Sequence, residues 1–262
     1  MPMFGLFGKS EKPRFPFATA TVTDRGFVRR ANEDSFLDRP EDGFFCVSDG
    51  MGGGDGGALA SRWICDAFAG VLDAERGSAY EIKQFALVRE IQRVNDRIRS
   101  YARENGYRMM GATLALMLVD HADPVRALVC HAGDSRIYRT RAGGLKLLTR
   151  DHTVGNELGR ALSENAAARA ADLQSRRNPL THILTRAIGT ELRARPDLAE
   201  IDIKRGDRFL LCSDGVHDML EDTEIAALLR DASNPAAAIT RLSAAVRNAG
   251  AADNFTMLCV FA

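Results

Sequence analysis

Phe44 to Gly57 reads FFCVSDGMGGGDGG, and this stretch limits what the rest of the chain can become. Four apolar residues, Cys46 among them, lead into Ser48-Asp49-Gly50, and glycine then dominates up to Gly57. An apolar run that stops at a glycine cluster reads as a buried strand delivering its last side chain to an open edge. Glycine at such an edge lets the backbone come close to a ligand. Past Ala58 the period changes: Ala60, Ile64, Ala67, Phe68, Val71 and Leu72 share one face of a helix. Asp49 therefore stands at a strand-to-helix junction. Taken alone, the segment is equally well a tight turn with an aspartate helping to cap it.

The same event recurs. Phe209 to Ser213 runs into Asp214-Gly215, and Ala127 to Ala132 runs into Gly133-Asp134-Ser135. Asp253-Asn254 stands directly before the apolar run Phe255 to Phe261, and Asn32-Glu33-Asp34 leads into Ser35-Phe36-Leu37. Each acid by itself reads as a turn or cap residue. As a set they point to a shared site, because clustered carboxylates raise one another's pKa unless a cation sits among them. Oxygen-only ligands suit hard divalent ions such as Mg2+ or Mn2+, and no His/Cys set occurs at zinc spacing.

Lys+Arg and Asp+Glu both number 35, so the net charge of +0 argues against nucleic acid or an anionic membrane surface as the main partner. Five cysteines cannot all pair, and Cys46, Cys130, Cys212 and Cys259 lie inside apolar runs, as reduced core residues of a cytoplasmic protein would. No apolar run approaches the ~20 residues of a membrane span. Residues 1–16 read as a flexible leader, and 17–262 as one domain, expected to be a monomer.

Along the chain, short strands joined by turns are interrupted by two long helices, one just past the glycines and one from Tyr80 to about Glu104, whose apolar face is expected to include Ile82, Phe85, Ala86, Val88, Ile91, Val94, Ile98 and Tyr101. Two further helices, near 223–231 and 235–248, precede a last strand. Strands with helices packed outside make an α+β layered domain of antiparallel sheets. Residues from Thr153 to about Pro179 have few large apolar side chains and read as a surface insertion containing a short helix around Leu158 to Leu162.

Arg29-x-x-Asn32-Glu33-Asp34, Asp49-Gly50-Met51-Gly52-Gly53, Gly111-Ala112-Thr113, Gly133-Asp134-Ser135-Arg136, Ser213-Asp214-Gly215-Val216-x-Asp218 and Asp253-Asn254 occur in one order. In that order the chain, over roughly residues 18–262, resembles the metal-dependent protein phosphatases (PPM, type 2C) of bacterial type. The stretch Leu148 to His152 resembles the one that precedes the flap in such proteins. The resemblance implies a four-layer sandwich of two antiparallel β-sheets flanked by α-helices. It implies that Asp49 bridges two Mn2+ or Mg2+ ions, that Gly50 lends a backbone oxygen, and that Asp214 and Asp253 complete the first site. Glu33 or Asp34 then serves the second, Asp134 with Asp214 a third and weaker one, and Arg29 grips the substrate phosphate through its planar fork. The implied chemistry is hydrolysis of phosphoserine or phosphothreonine in proteins, against a cognate Ser/Thr kinase. No Cys-x5-Arg loop exists for a thiolate route, and Ser48 and Ser213 read as turn caps, not nucleophiles.

Two positions depart from the family. Met51 stands where some members carry a histidine proposed as general acid, and Gly54 where bacterial members often carry another. No general acid follows from the sequence. His152 reads as a loop histidine bound to backbone, with contact to substrate or a proton-donating role as its rival role. A phosphoprotein-binding scaffold that has lost turnover and a hydrolase of small phosphate esters remain as alternatives.

Overall fold

The computed structural model describes residues 17–52, 55–120, 122–162, 171, 173, 175 and 178–262. The readings of residues 1–16 as a leader, of Gly54, and of most of 163–177 as an insertion fall outside the described residues.

Two antiparallel five-stranded sheets lie face to face. One has the order β1 (Ala18–Asp24), β12 (Phe255–Phe261), β11 (Arg208–Cys212), β8 (Arg136–Arg141), β9 (Gly144–Leu147). The other has the order β10 (Asp197–Asp202), β7 (Arg126–Ala132), β6 (Leu114–Val119), β3 (Phe44–Ser48), β2 (Ser35–Arg39). A short pair, β4 (Gly50–Met51) and β5 (Gly111–Ala112), extends the second sheet's site-bearing end.

The central strands are apolar on both faces because both faces are covered. Along β3 the side chains alternate: Phe45 and Val47 enter a middle layer with Met117, Val129, Phe209 and Leu258, while Phe44 and Cys46 face helix α1 (Asp55–Ala74) and helix α2 (Tyr80–Glu104). The other sheet repeats the arrangement, with Leu210, Cys212, Met257 and Cys259 facing the helices Asp222–Arg230 and Pro235–Asn248. Helix, sheet, sheet, helix is the four-layer α+β sandwich expected from the resemblance. Each fully buried Phe, Leu or Ile contributes about 1.5–3 kcal/mol of transfer free energy, so the three apolar layers account for the cohesion of the fold. All five cysteines are free and buried. Among the described residues no helix is long and apolar enough to cross a membrane.

The helix ends follow their local chemistry. Asn234 accepts the Ala237 N–H at 2.9 Å with Pro235 in the first turn. Thr153 caps the short helix α3 (Val154–Ala161), which falls where the sequence places one. One expectation is corrected on α2. Its apolar stripe is wider than its buried face, so Ile82, Phe85 and Val88 are exposed, while Tyr80, Lys83, Leu87 and Asn95 are buried. Asn95 turns inward because its amide accepts the Gly189 N–H at 2.8 Å and donates to the Glu191 carbonyl at 3.0 Å.

Candidate active site

Four strand mouths open at one end of the sandwich. Asp49 follows β3, Asp134 follows β7, Asp214 follows β11 and Asp253 precedes β12. With Arg29, Glu33 and Gly50 they line a cavity of about 510 Å³. Asp34 is buried behind it, its Oδ2 accepting the Ser213 hydroxyl at 2.8 Å.

The backbone holds these groups through a chain of short bonds. Asp49 N–H donates to Thr113 Oγ1 at 2.9 Å, and that hydroxyl lies 2.6 Å from Ser135 Oγ. Gly50 N–H donates to the Glu33 carbonyl at 3.1 Å, and Ser61 Oγ donates to the same oxygen at 2.6 Å. Asn254 accepts the Glu33 N–H at 2.9 Å and donates to the carbonyls of Arg25 and Ala31, which ties the 25–33 loop to the start of β12. Glycine is required where these segments meet. A Cβ on Gly50 would lie 2.2 Å from the Gly57 carbonyl oxygen, and one on Gly57 would lie 1.9 Å from Glu33 Oε2.

The hydroxyls of Ser48 and Ser213 are engaged elsewhere than in cap bonds, which corrects the expectation of side-chain capping although Ser213 stands at the N-cap position. Ser48 Oγ donates to the Thr113 carbonyl at 2.7 Å. Ser213 Oγ donates to Asp34 and accepts the Thr256 N–H at 2.9 Å, and it makes no cap bond to the helical turn Asp214–His217 that follows it.

The electrostatics of the cavity are unfavourable without a counter-charge. Burial, and then the carboxylates of Asp34, Asp214 and Asp134, push the Asp49 carboxyl well above the usual range. Asp134 is pushed up by burial and then by Asp214, and Asp214 by burial and then by Asp218. Asp34 is raised to about 7, chiefly by burial. Glu33 is raised by burial, with Arg29 opposing. Asp34 Oδ1 and Asp214 Oδ1 are buried with no hydrogen-bond partner among the described residues. Orphaned carboxylate oxygens in an all-oxygen donor set fit hard divalent cations. Arg29 stands at the rim, half-exposed, with Nη2 2.6 Å from Asp253 Oδ2.

The family model for protein phosphatase 2C matches residues 29–251. The chain belongs to the protein phosphatase 2C family. That family places it among the metal-dependent protein-serine/threonine phosphatases. It is 31% identical over 248 residues to "Protein phosphatase PhpP" of Streptococcus pneumoniae, covering 91% of this chain and 95% of that protein. It is 32% identical over 252 residues to "Serine/threonine phosphatase stp" of Listeria monocytogenes, covering 91% and 93%. Among solved structures it superposes on PppA of Pseudomonas aeruginosa with a TM-score of 0.81 at 33% identity, covering 94% and 97% of the two chains. The catalytic domain of PstP, solved with 2 manganese ions, gives 0.75 at 29% identity, with 94% and 97% covered.

Two features of this protein phosphatase 2C member were not legible as site features in its sequence. His182 lines the cavity that holds the four aspartates, with its Nδ1 3.2 Å from Asp218 Oδ2. Met109 reaches the same cavity from the connection between α2 and β5. His152, by contrast, is buried, stacks on His131 with ring centroids 4.7 Å apart, and accepts the Gly133 N–H through Nδ1. Burial and the neighbouring His131 lower its pKa to about 4, so the ring is neutral near neutral pH and is no imidazolium acid. The role of a loop histidine bound to backbone is the one it fills.

His131, His152 and Asp197 bring ligand atoms within 4.8 Å of one another. Their groups are already engaged: His131 Nε2 accepts the Arg150 N–H at 3.1 Å, and Arg150 and Arg186 both donate to Asp197. The cationic arginines make that cluster a poor cation site.

Proposed function

We propose that this chain hydrolyses phosphoserine and phosphothreonine in proteins at a multinuclear Mn2+ or Mg2+ site, opposing a bacterial Ser/Thr kinase. The observation that carries the reading is the convergence of Asp49, Asp134, Asp214 and Asp253, from four separate strand mouths, on one cavity rimmed by Arg29. Asp49, Asp214, Asp253 and the Gly50 carbonyl would hold one ion. Glu33, which lines the cavity, would serve a second with Asp49, and buried Asp34 would orient that side from behind. Asp134 with Asp214 would hold a third.

Bound divalent ions supply water activation and charge neutralisation for in-line attack at phosphorus. The protein's own residues do the rest. Arg29 offers a planar pair of donors that matches two phosphoryl oxygens, with Asp253 setting its orientation. His182 delivers the proton that the leaving serine or threonine alkoxide needs. Its imidazole is held by Asp218 at the cavity wall, Nδ1 lying 3.2 Å from Asp218 Oδ2, which orients the ring. The position of Met51 beside Gly50, which can donate no proton, is consistent with that assignment.

The test is hydrolysis of a phosphothreonine peptide after chelation, with Mn2+, Mg2+ or Zn2+ added back. Activity restored by Mn2+ or Mg2+ and abolished in Asp214→Ala supports the reading. Capture of the phosphopeptide without turnover, with metal bound, would favour a phosphoprotein-binding scaffold instead.

A further inference from the structure

In a chain with 35 basic and 35 acidic residues, many arginines sit against carboxylates, as Arg136 does on Asp151 and Arg141 on Asp207. Arg99, Arg103 and Arg108 do not: among the described residues none of the three side chains has an ion-pair or hydrogen-bond partner. They line one concavity of about 310 Å³, between the end of α2 and the connection that leads to β5, together with Ser100 and Thr190. Among the described residues no carboxylate lines it. The acids nearest along the helix, Asp96 and Glu104, lie outside it, and Asp96 is taken by the Gln92 amide at 2.8 Å.

Three guanidinium groups gathered without a counter-charge repel one another, and their field concentrates anions in the concavity. Guanidinium forks match phosphoryl and carboxylate oxygens, and the Ser100 hydroxyl adds a further donor, that of Thr190 being given to the Ala187 carbonyl at 2.9 Å. The concavity also has a defined relation to the catalytic cavity, because Met109 lines both. Gly52, on the wall of the catalytic cavity, packs so closely against this segment that a Cβ there would lie 2.4 Å from the Met109 carbonyl oxygen. The two cavities are thus neighbours across a single backbone segment.

Resting on the phosphoprotein phosphatase reading above, we propose that Arg99, Arg103 and Arg108 form an accessory anion pocket. It takes a second phosphorylated or acidic side chain of the same substrate protein while the scissile phosphate occupies the catalytic cavity. The enzyme then prefers substrates with clustered negative charge.

The experiment compares the Mn2+-loaded wild type with Arg103→Ala/Arg108→Ala on three substrates. These are p-nitrophenyl phosphate, a singly phosphorylated threonine peptide, and peptides with two phosphothreonines at increasing spacing. Wild type should favour the best doubly phosphorylated peptide by about tenfold in kcat/KM, and the double variant should lose that preference. Turnover of p-nitrophenyl phosphate should be equal in both, since neither arginine lines the catalytic cavity. A preference unchanged in the variant, or absent from wild type, would overturn the proposal.

A second measurement separates this outcome from failure of the catalytic reading. Fluorescence anisotropy of the labelled doubly phosphorylated peptide is followed on chelated protein, which needs no turnover. Binding that is weakened about tenfold in the variant supports the pocket even if no substrate is hydrolysed. Displacement by free inorganic phosphate as efficient as by unlabelled peptide overturns it in favour of a free-anion site. Loss in the variant of sedimentation with phosphatidylserine vesicles alone, with peptide binding intact, overturns it in favour of a lipid surface.

Discussion

Replacing Asp34 by Asn should make the metal-free protein more stable, and the structure sets the size of the effect. The Asp34 carboxyl is buried, one oxygen takes the Ser213 hydroxyl, and the other has no partner among the described residues. Its pKa rises from 3.8 to about 7, with burial as the main cause and Asp214 adding to it. A rise of about three units corresponds to about 4 kcal/mol of penalty on the ionised form in the fold. Because the folded pKa lies above the unfolded one, this penalty is absent below about pH 4 and complete only above about pH 7. Asn keeps an oxygen for Ser213, carries no charge, and has Asp49 within reach as an acceptor for its amide. Allowing half the gain to be lost in fitting that amide, the variant should gain about 2–4 kcal/mol at pH 8, or roughly 5–15 °C in Tm, and nearly nothing at pH 4. Differential scanning calorimetry in excess chelator at both pH values measures this. An Asn variant no more stable than wild type at pH 8 would refute the account of the cluster as a repulsive set awaiting cations.

Three further outcomes are expected. His182→Gln should lower kcat on a phosphothreonine peptide by about 10²-fold or more and barely affect p-nitrophenyl phosphate, whose leaving group needs no proton; equal losses on both substrates would remove His182 as the acid. Arg29→Lys should lower kcat/KM by about tenfold or more in steady-state kinetics, because an ammonium cannot reproduce the two-pronged contact, and full activity in the Lys variant would exclude the phosphate-gripping role. Phe45→Ala, in the layer between the sheets, should cost about 3–5 kcal/mol in urea unfolding, whereas Phe85→Ala on the exposed side of α2 should change stability by less than about 0.5 kcal/mol.

Much of the site was legible because its signals are local. A run such as Phe209 to Ser213 ending in Asp214-Gly215 carries its own strand period and its own stop, so the acid's place at a strand mouth follows from a few residues. The edge strand β10 gave no comparable signal. Its sequence, Asp-Leu-Ala-Glu-Ile-Asp, is mostly exposed and contains poor strand formers, and it is a strand because β7 offers it a ladder from His131 to Arg126. The misjudged face of α2 has a similar origin. Helical period shows which residues share a stripe, but how much of the stripe is covered depends on the elements packed against it, which here leave Ile82, Phe85 and Val88 in solvent.

The order of motifs, the apolar runs and the family itself were all determined by the sequence alone, because each depends on neighbours within a few positions or on residue identity. Which acids face the cavity was decided only by tertiary structure. Glu33 and Asp34 are adjacent in the chain, yet one lines the cavity and the other is buried behind it on Ser213, 179 positions away. The same holds for His182 on Asp218 and for the three arginines beside Met109. Their partners and their neighbours are set by the packing of distant segments, and nothing in the local sequence carries that distance.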